Sequence, residues 1–362
     1  MNILIDIGHP AHVHMFRNAA HIFIKHGHKV LLTCREKEFE KQLLVSEGLE
    51  FVSFGKKYKS VAGKIFGLFK FVIKEWRVCL RFKPDILLSH GSPYAAIASW
   101  LYRKPHISFE DTYNKEQIRL YKPFTEVILT GMYDHPFISK NEIHCSGYHE
   151  LLYLHPSYYT PNPNILNVLG LLEAEKYVLV RFIAWNATHD AVGQGFSSKE
   201  KIEAVSKLSQ FAKVFISSEG ELPDELEEYR LKTRPEQIFD VIYYATLIWG
   251  ESRTIPSEGS VLGTPSVINY NAECYYLADQ AAKYDMCYYF SESEEDRKKA
   301  LDKCVELLSQ DAAELKKQWR EKRQRLLDEH IDYTAFLVWF VENYPKSRKI
   351  MQENPDYQYN FR

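Results

Sequence analysis

Short apolar runs alternate with segments of helical period along nearly the whole chain, and most runs end in a turn of small or polar residues. Ile3-Leu4-Ile5-Asp6-Ile7 is followed by Gly8-His9-Pro10-Ala11-His12. Apolar residues at helical spacing then run from Val13 to Ile24, and Lys29-Val30-Leu31-Leu32-Thr33 forms the next run. This is a βαβ unit, and a strand that returns in the same direction through a helix must join a parallel sheet. The alternation continues through runs at 50–54, 86–89, 106–109 and 127–129. It resumes at 177–182, 214–217, 247–249 and 265–268, which reads as the last clear strand. The expected fold class is therefore α/β, with two Rossmann-like parallel-sheet domains facing a central cleft.

The two series are separated by His155 to Asn164, which holds three prolines. Such a stretch disfavours regular structure and marks a linker. The expected division is 1–155 for the first domain, 165–330 for the second, and 331–362 as a C-terminal helical segment that packs back on the first. A length of 362 residues suits two domains of ordinary size. The net charge of -2 gives no overall attraction to nucleic acid or to an anionic membrane. Asp6 interrupts the first apolar run, so the opening does not read as a signal peptide. The six cysteines are scattered without a C-x-x-C pair and read as reduced thiols of a cytoplasmic protein.

In an open parallel sheet, ligands bind at the carboxyl ends of the strands, so the residues just after the runs carry the functional expectation. Four such places stand out. Gly8-His9-Pro10-Ala11-His12-Val13-His14 holds three histidines. Their spacing is not that of a helical metal pair, and no cysteine or carboxylate nearby completes a ligand set, so no metal is expected. His12 at the start of a helix suits a general base, while His9 and His14 also fit capping and packing. His90-Gly91-Ser92 is a second strand-to-helix turn, and Phe109-Glu110-Asp111 closes the next strand. Arg181 ends the first strand of the second series, where a guanidinium suits a phosphate, and His189 lies in the loop after it. Ser252-Arg253-Thr254 precedes a helix whose positive end favours a diphosphate, and Glu258 lies about one turn in, where a carboxylate can accept the hydroxyls of a ribose.

At these residues the chain resembles the GT-B superfamily. It is similar there to the lipid-linked muramyl-peptide N-acetylglucosaminyltransferase and to the non-hydrolysing UDP-N-acetylglucosamine 2-epimerase. As a whole it resembles a family catalogued as domain of unknown function 354, whose members open like Ile5-Asp6-Ile7-Gly8-His9-Pro10-Ala11-His12-Val13. His12-Val13 resembles the G-H-V of the transferase's first loop. Pro84-Asp85 and Gly91 resemble its second glycine turn. Ser252 resembles the phosphate-loop serine of both relatives, and Glu258 with Leu262-Gly263-x-Pro265 resembles their ribose-binding Glu and the L-G-x-P after it. The chain also departs from them. The first loop lacks the transferase's glycine pair. Ser92 stands where the epimerase has an Asp, although Glu110 falls near another of its carboxylates.

The resemblance implies transfer of a sugar from a nucleotide-diphosphate sugar to a cell-envelope or polysaccharide acceptor, with no cofactor and no metal. Arg181, Ser252, Arg253, Thr254 and Glu258 would hold the nucleotide sugar. Gly8, His9, His90, Gly91, Ser92 and Glu110 would line the acceptor side, with His12, Asp111 or His189 as base. The alternatives are a nucleotide-sugar 2-epimerase and a non-catalytic nucleotide-sugar-binding protein. An NAD oxidoreductase is disfavoured, since no G-x-G-x-x-G follows the first strand. Residues 61–82 mix Phe66, Phe69, Ile73, Trp76 and Leu80 with Lys70, Lys74, Arg77 and Arg81. They suit a peripheral contact with an anionic membrane bearing a lipid-linked acceptor. They suit better still an ordinary amphipathic helix packed on the first sheet, with its lysines in solvent.

Overall fold

A computed structural model describes residues 1–36, 39–56, 58, 61–172, 175–183, 195–271 and 273–362, with only the backbone of 61, 62, 64 and 65. The chain divides into two compact units, Met1–Tyr158 with His330–Arg362, and Tyr159–Glu329.

The first unit holds a seven-stranded sheet in the order β3-β2-β1-β4-β5-β6-β7. Its strands are β1 (Asn2–Ile7), β2 (Lys29–Glu36), β3 (Phe51–Lys56), β4 (Ile86–His90), β5 (His106–Phe109), β6 (Val127–Gly131) and β7 (Glu142–Cys145). Every pairing is parallel. Continuous apolar runs such as Ile3-Leu4-Ile5 and Ile86-Leu87-Leu88 are fully buried, as both faces of a parallel sheet covered by helices require. The strand order reverses between β1 and β4.

The second unit holds five parallel strands in the order β12-β11-β10-β8-β9. They are β8 (Tyr177–Phe182), β9 (Lys213–Ser218), β10 (Leu247–Gly250), β11 (Ser266–Asn269) and β12 (Cys287–Phe290). Its reversal lies between β8 and β10. Thus the fold class is α/β with two parallel sheets. Two strands escape the sequence reading, β7 and β12, so the run at 265–268 is not the last strand. Both are four-residue edge strands. With one neighbour instead of two, Glu-Ile-His-Cys and Cys-Tyr-Tyr-Phe need not be uniformly apolar.

Helices cover both sheets. The His330–Arg362 segment belongs to the first unit, where Thr334 Oγ1 donates to the Leu152 carbonyl at 2.7 Å and the Gln358 side chain accepts from the Ser146 N–H at 2.6 Å. All six cysteines are buried. No helix among the described residues is long and apolar enough to cross a membrane.

One charged cluster sits inside the first unit's apolar interior. The Arg35 guanidinium donates to both oxygens of Asp6, at 2.7 and 2.9 Å, with both side chains almost fully buried. Ser92 Oγ also donates to Asp6, and Tyr94 packs its ring 4.4 Å from the guanidinium carbon. Thr33 Oγ1 lies 3.0 Å from both Asp6 Oδ1 and Glu75 Oε1. One hydroxyl hydrogen serves only one of them. Burial, and then the nearby Asp6 charge, push the Glu75 carboxyl well above its ordinary value, which favours the protonated form beside the shared Thr33 hydroxyl. Burial alone would also raise Asp6, but the Arg35 charge and hydrogen bonds outweigh it and hold Asp6 ionised.

Removing one member of a buried ion pair strands the other, at a cost of about 3–5 kcal/mol. Asp6→Ala is expected to lose stability on that scale in urea unfolding, far more than exposed charge changes such as Lys349→Ala.

Candidate functional site

Side chains after β1, β4, β5 and β7 gather at the carboxyl edge of the first sheet, beside its reversal point, where an open α/β sheet leaves a crevice for ligands. His9 caps the Pro10–Lys25 helix, its Nδ1 accepting from the Ala11 N–H at 3.2 Å. His12 Nδ1 accepts from the Gly8 N–H at 3.2 Å. A ring nitrogen that accepts carries no hydrogen, so neutral His12 has its proton on Nε2 and is a donor there. That geometry does not suit the base role expected of His12. His14 is buried, and burial pulls its pKa down to about 3, so it packs as a neutral ring.

Asp111 links two imidazoles. His90 Nε2 lies 2.9 Å from one carboxylate oxygen, and His149 Nδ1 lies 3.0 Å from the other. The His12 ring lies over His90, with centroids 4.7 Å apart. Burial alone would raise the Asp111 carboxyl, but the charges of His90 and His149 overcome this and hold it well below the carboxylate range. Burial alone would lower His90, but the Asp111 carboxylate outweighs it and raises the imidazole above its ordinary 6.5. Both oxygens of Asp111 are therefore engaged by ring nitrogens, one from His90 and one from His149. His149 was not expected from the sequence. It follows β7, the unforeseen edge strand, and its only local signal is the small-residue turn Ser146-Gly147.

The other residues expected on this side hold the scaffold. Ser92 caps the Pro93–Tyr102 helix, accepting from the Ala95 N–H at 3.3 Å while it donates to Asp6. Gly91 sits at φ +57, a left-handed conformation that favours glycine. A Cβ there would lie 2.9 Å from the Gln117 amide. Glu110 accepts from Thr112 N, Thr112 Oγ1, Tyr113 N and the Tyr121 hydroxyl, so both its oxygens are consumed in shaping the β5 loop. Gly8 lies over Arg35, and a Cβ on it would stand 3.2 Å from Nη2.

The second unit's carboxyl edge is organised by Gly250, Glu251 and the Thr254–Leu262 helix. Gly250 has φ +151, and a Cβ there would run into the Arg181 carbonyl on β8. Glu251 is buried and accepts from Phe196 N at 2.7 Å and Ile183 N at 3.4 Å. Arg181 turns toward β9, donating to Ser217 Oγ at 2.7 Å and pairing with Glu219, so a phosphate would have to compete for it. Among the described residues no side chain caps the Thr254–Leu262 helix, and Pro256 in its first turn lacks an N–H. The Arg253 guanidinium lies 5.0 Å from the Tyr270 ring centroid. Glu258 is buried one turn into that helix. Gly259 lets the helix sit close to the sheet, since a Cβ there would lie 2.8 Å from Ser266 Oγ. His189 falls outside the described residues.

A family described as "Protein of unknown function (DUF354)" matches residues 1–327. The chain belongs to the DUF354 family. No curated protein matches it by sequence. Among solved structures it is similar to the MnaA–UDP co-structure from S. aureus, with TM-score 0.66, 11% identity, and coverage of 96% of this chain and 97% of that one. It is similar to UDP-GlcNAc 2-epimerase from Neisseria meningitidis bound to UDP-GlcNAc, with TM-score 0.62, 14% identity, and coverage of 91% and 100%. It is also similar to spinosyn rhamnosyltransferase SpnG complexed with spinosyn aglycone, with TM-score 0.59, 13% identity, and coverage of 95% and 100%. At such identities the likeness establishes the fold, which is GT-B-like.

The two shifts set a pH window. The raised His90 value stabilises the fold fully below 6.5, and this is lost as pH rises through the folded-state value. The depressed Asp111 value stabilises the fold above 3.8, and this is lost as pH falls through the folded-state value. Melting temperature followed from pH 3 to 9 is expected to fall on both sides of that window. In Asp111→Asn both slopes should flatten; an unchanged profile would contradict the assignment.

Proposed function

We propose that this DUF354 protein transfers a sugar from a nucleotide-diphosphate sugar to an acceptor hydroxyl. The observation that carries the reading is the His90–Asp111–His149 chain at the edge of the first sheet. His149 and His90 hold Asp111 from either side, and Asp111 accepts the His90 Nε2–H. Neutral His90 then offers Nδ1 to the acceptor hydroxyl. It takes that proton as the oxygen attacks the anomeric carbon and the nucleoside diphosphate leaves. General-base help of this kind contributes roughly 10²–10⁴ in rate. The first-turn amides of the Thr254–Leu262 helix, with Ser252, Arg253 and Thr254, would receive the diphosphate, and Glu258 the ribose. Helix dipole and guanidinium would stabilise the leaving charge, so the proposed reaction needs no metal ion.

The 2-epimerase reading is weaker on the geometry. It draws its acid–base groups from the places of Ser92 and Glu110. Here Ser92 is a helix cap bonded to Asp6, and Glu110 has both oxygens committed to its own loop. Calorimetry against UDP, GDP, CDP and dTDP sugars is the first test. One of them should bind, Glu258→Gln should weaken it at least tenfold, and Asp111→Asn should keep binding while losing turnover. Binding by none would overturn the reading. Solvent deuterium entering the sugar C2 without acceptor would favour epimerisation, and binding without any turnover would favour a non-catalytic module.

We further propose that the acceptor is membrane-borne and that the Val61–Phe82 helix meets the lipid surface. Phe66, Phe69, Ile73 and Leu80 are exposed large hydrophobics on that helix, and Arg77 and Arg81 are exposed beside them. Lys70 and Lys74 are held by Tyr58 and the Phe54 carbonyl, which limits the charge they offer a membrane. Co-sedimentation with phosphatidylglycerol vesicles should fall in Phe66→Ser/Phe69→Ser; absence of sedimentation in the parent protein would refute the contact.

A further inference from the structure

A second cluster lies at the outer edge of the first sheet and takes no part in the proposed reaction. His135 sits on the connection after β6, while Glu142 and His144 lie two residues apart on β7, so the strand's alternation puts them on one face. Ligand atoms of the three lie within 4.8 Å of one another. The Glu142 side chain is only 3% exposed. Its Oε1 accepts from the Ile138 and Ser139 N–H groups, yet its Oε2 is buried with no hydrogen-bond partner. A buried carboxylate oxygen left this way is costly, and something must meet its charge. The nearest cationic candidate in the cluster, His144 Nε2, stands 4.0 Å away.

The imidazoles are arranged to present lone pairs. His135 Nδ1 lies 3.1 Å from the Pro136 carbonyl, which can only accept, so the hydrogen is on Nδ1 and neutral His135 has its lone pair on Nε2. The buried Thr130 hydroxyl lies 3.0 Å from His144 Nδ1 and can accept its hydrogen in the same way. A ring whose second nitrogen is anchored to an oxygen is the arrangement that orients metal-ligating histidines. The His90–Asp111–His149 group differs, because there both carboxylate oxygens already meet ring nitrogens.

We propose that His135, Glu142 and His144 bind a divalent transition ion of the zinc class, through the two Nε2 atoms and Glu142 Oε2. Two imidazoles and one carboxylate suit zinc and disfavour calcium and magnesium, which take oxygen ligands. Tetrahedral ligands at about 2.0–2.1 Å stand roughly 3.3 Å apart, so small side-chain rotations close the site. The His144 side chain is 52% exposed, which leaves the fourth position to water. The ion would supply the missing partner of Glu142 and clamp the β6–β7 connection to the strand that leads to His149. His135 also stacks on Tyr113, with centroids 4.6 Å apart, and so touches the loop that carries Asp111.

The test uses the full chain without a polyhistidine tag, stripped with chelator, dialysed and titrated with zinc chloride by calorimetry. One zinc per chain at micromolar affinity or tighter is expected. His135→Ala and His144→Ala should each weaken it at least tenfold, and His149→Ala should leave it unchanged. In His144→Cys loaded with cobalt, a thiolate-to-cobalt absorption band should appear near the ultraviolet edge. That gain of signal decides the matter even if an alanine variant folds poorly. No zinc binding, parental affinity in His135→Ala/His144→Ala, loss confined to His149→Ala, or no thiolate band would each overturn the proposal.

Discussion

The buried Asp6–Arg35 pair is the interaction on which the first unit's functional edge rests. Asp6 lies on β1, Arg35 on β2, and Ser92 at the start of the helix after β4. One carboxylate therefore joins two adjacent strands to a helix start across the point where the strand order reverses. The Gly8 backbone passes over Arg35 so closely that a side chain there would press on the guanidinium. The loop that carries His9 and His12 is thus built upon the ion pair. Isolated, two such charges would cost more than they return. The bidentate geometry, the Ser92 and Thr33 hydroxyls and the Ile7 carbonyl satisfy most of their polar atoms.

The two units carry different side-chain chemistry at their strand ends. The first gathers imidazoles about a carboxylate. The second gathers an uncapped helix start, a guanidinium and a buried carboxylate, which suit an anion and a polyol. Each set stands next to the reversal point of its own sheet. There neighbouring crossovers leave the sheet on opposite faces, and the strand ends remain uncovered.

The fold was largely legible because buried parallel strands must be continuously apolar, and the runs from Ile3 to Ile268 satisfied that rule. β7 and β12 were missed because an edge strand is not bound by it. The omission of β7 hid part of the first unit's imidazole chemistry, since His144 lies on β7 and His149 follows it. Residue roles were harder to read than positions. Ser92 and Glu110 lie in strand-end loops, and their hydrogen bonds are turned inward. His12 lies at a helix start, where its Nδ1 accepts from the Gly8 amide. Arg181 lies near a strand end and is drawn to Glu219, just past the neighbouring strand β9.

The sequence by itself determined the alternation of strand and helix, the parallel sheets, and the loops in which the polar side chains emerge. These follow from local periodicity and from the turn residues that interrupt it. Only the tertiary structure decided which of those side chains meet. His90, Asp111 and His149 come from three different strand ends, Asp6, Arg35 and Glu75 from two strands and a helix, and His135 meets Glu142 and His144 across a connection. Such meetings depend on strand order and register, which arise from packing of the whole sheet. A ring nitrogen's donor or acceptor role is then set by the one atom that packing places beside it.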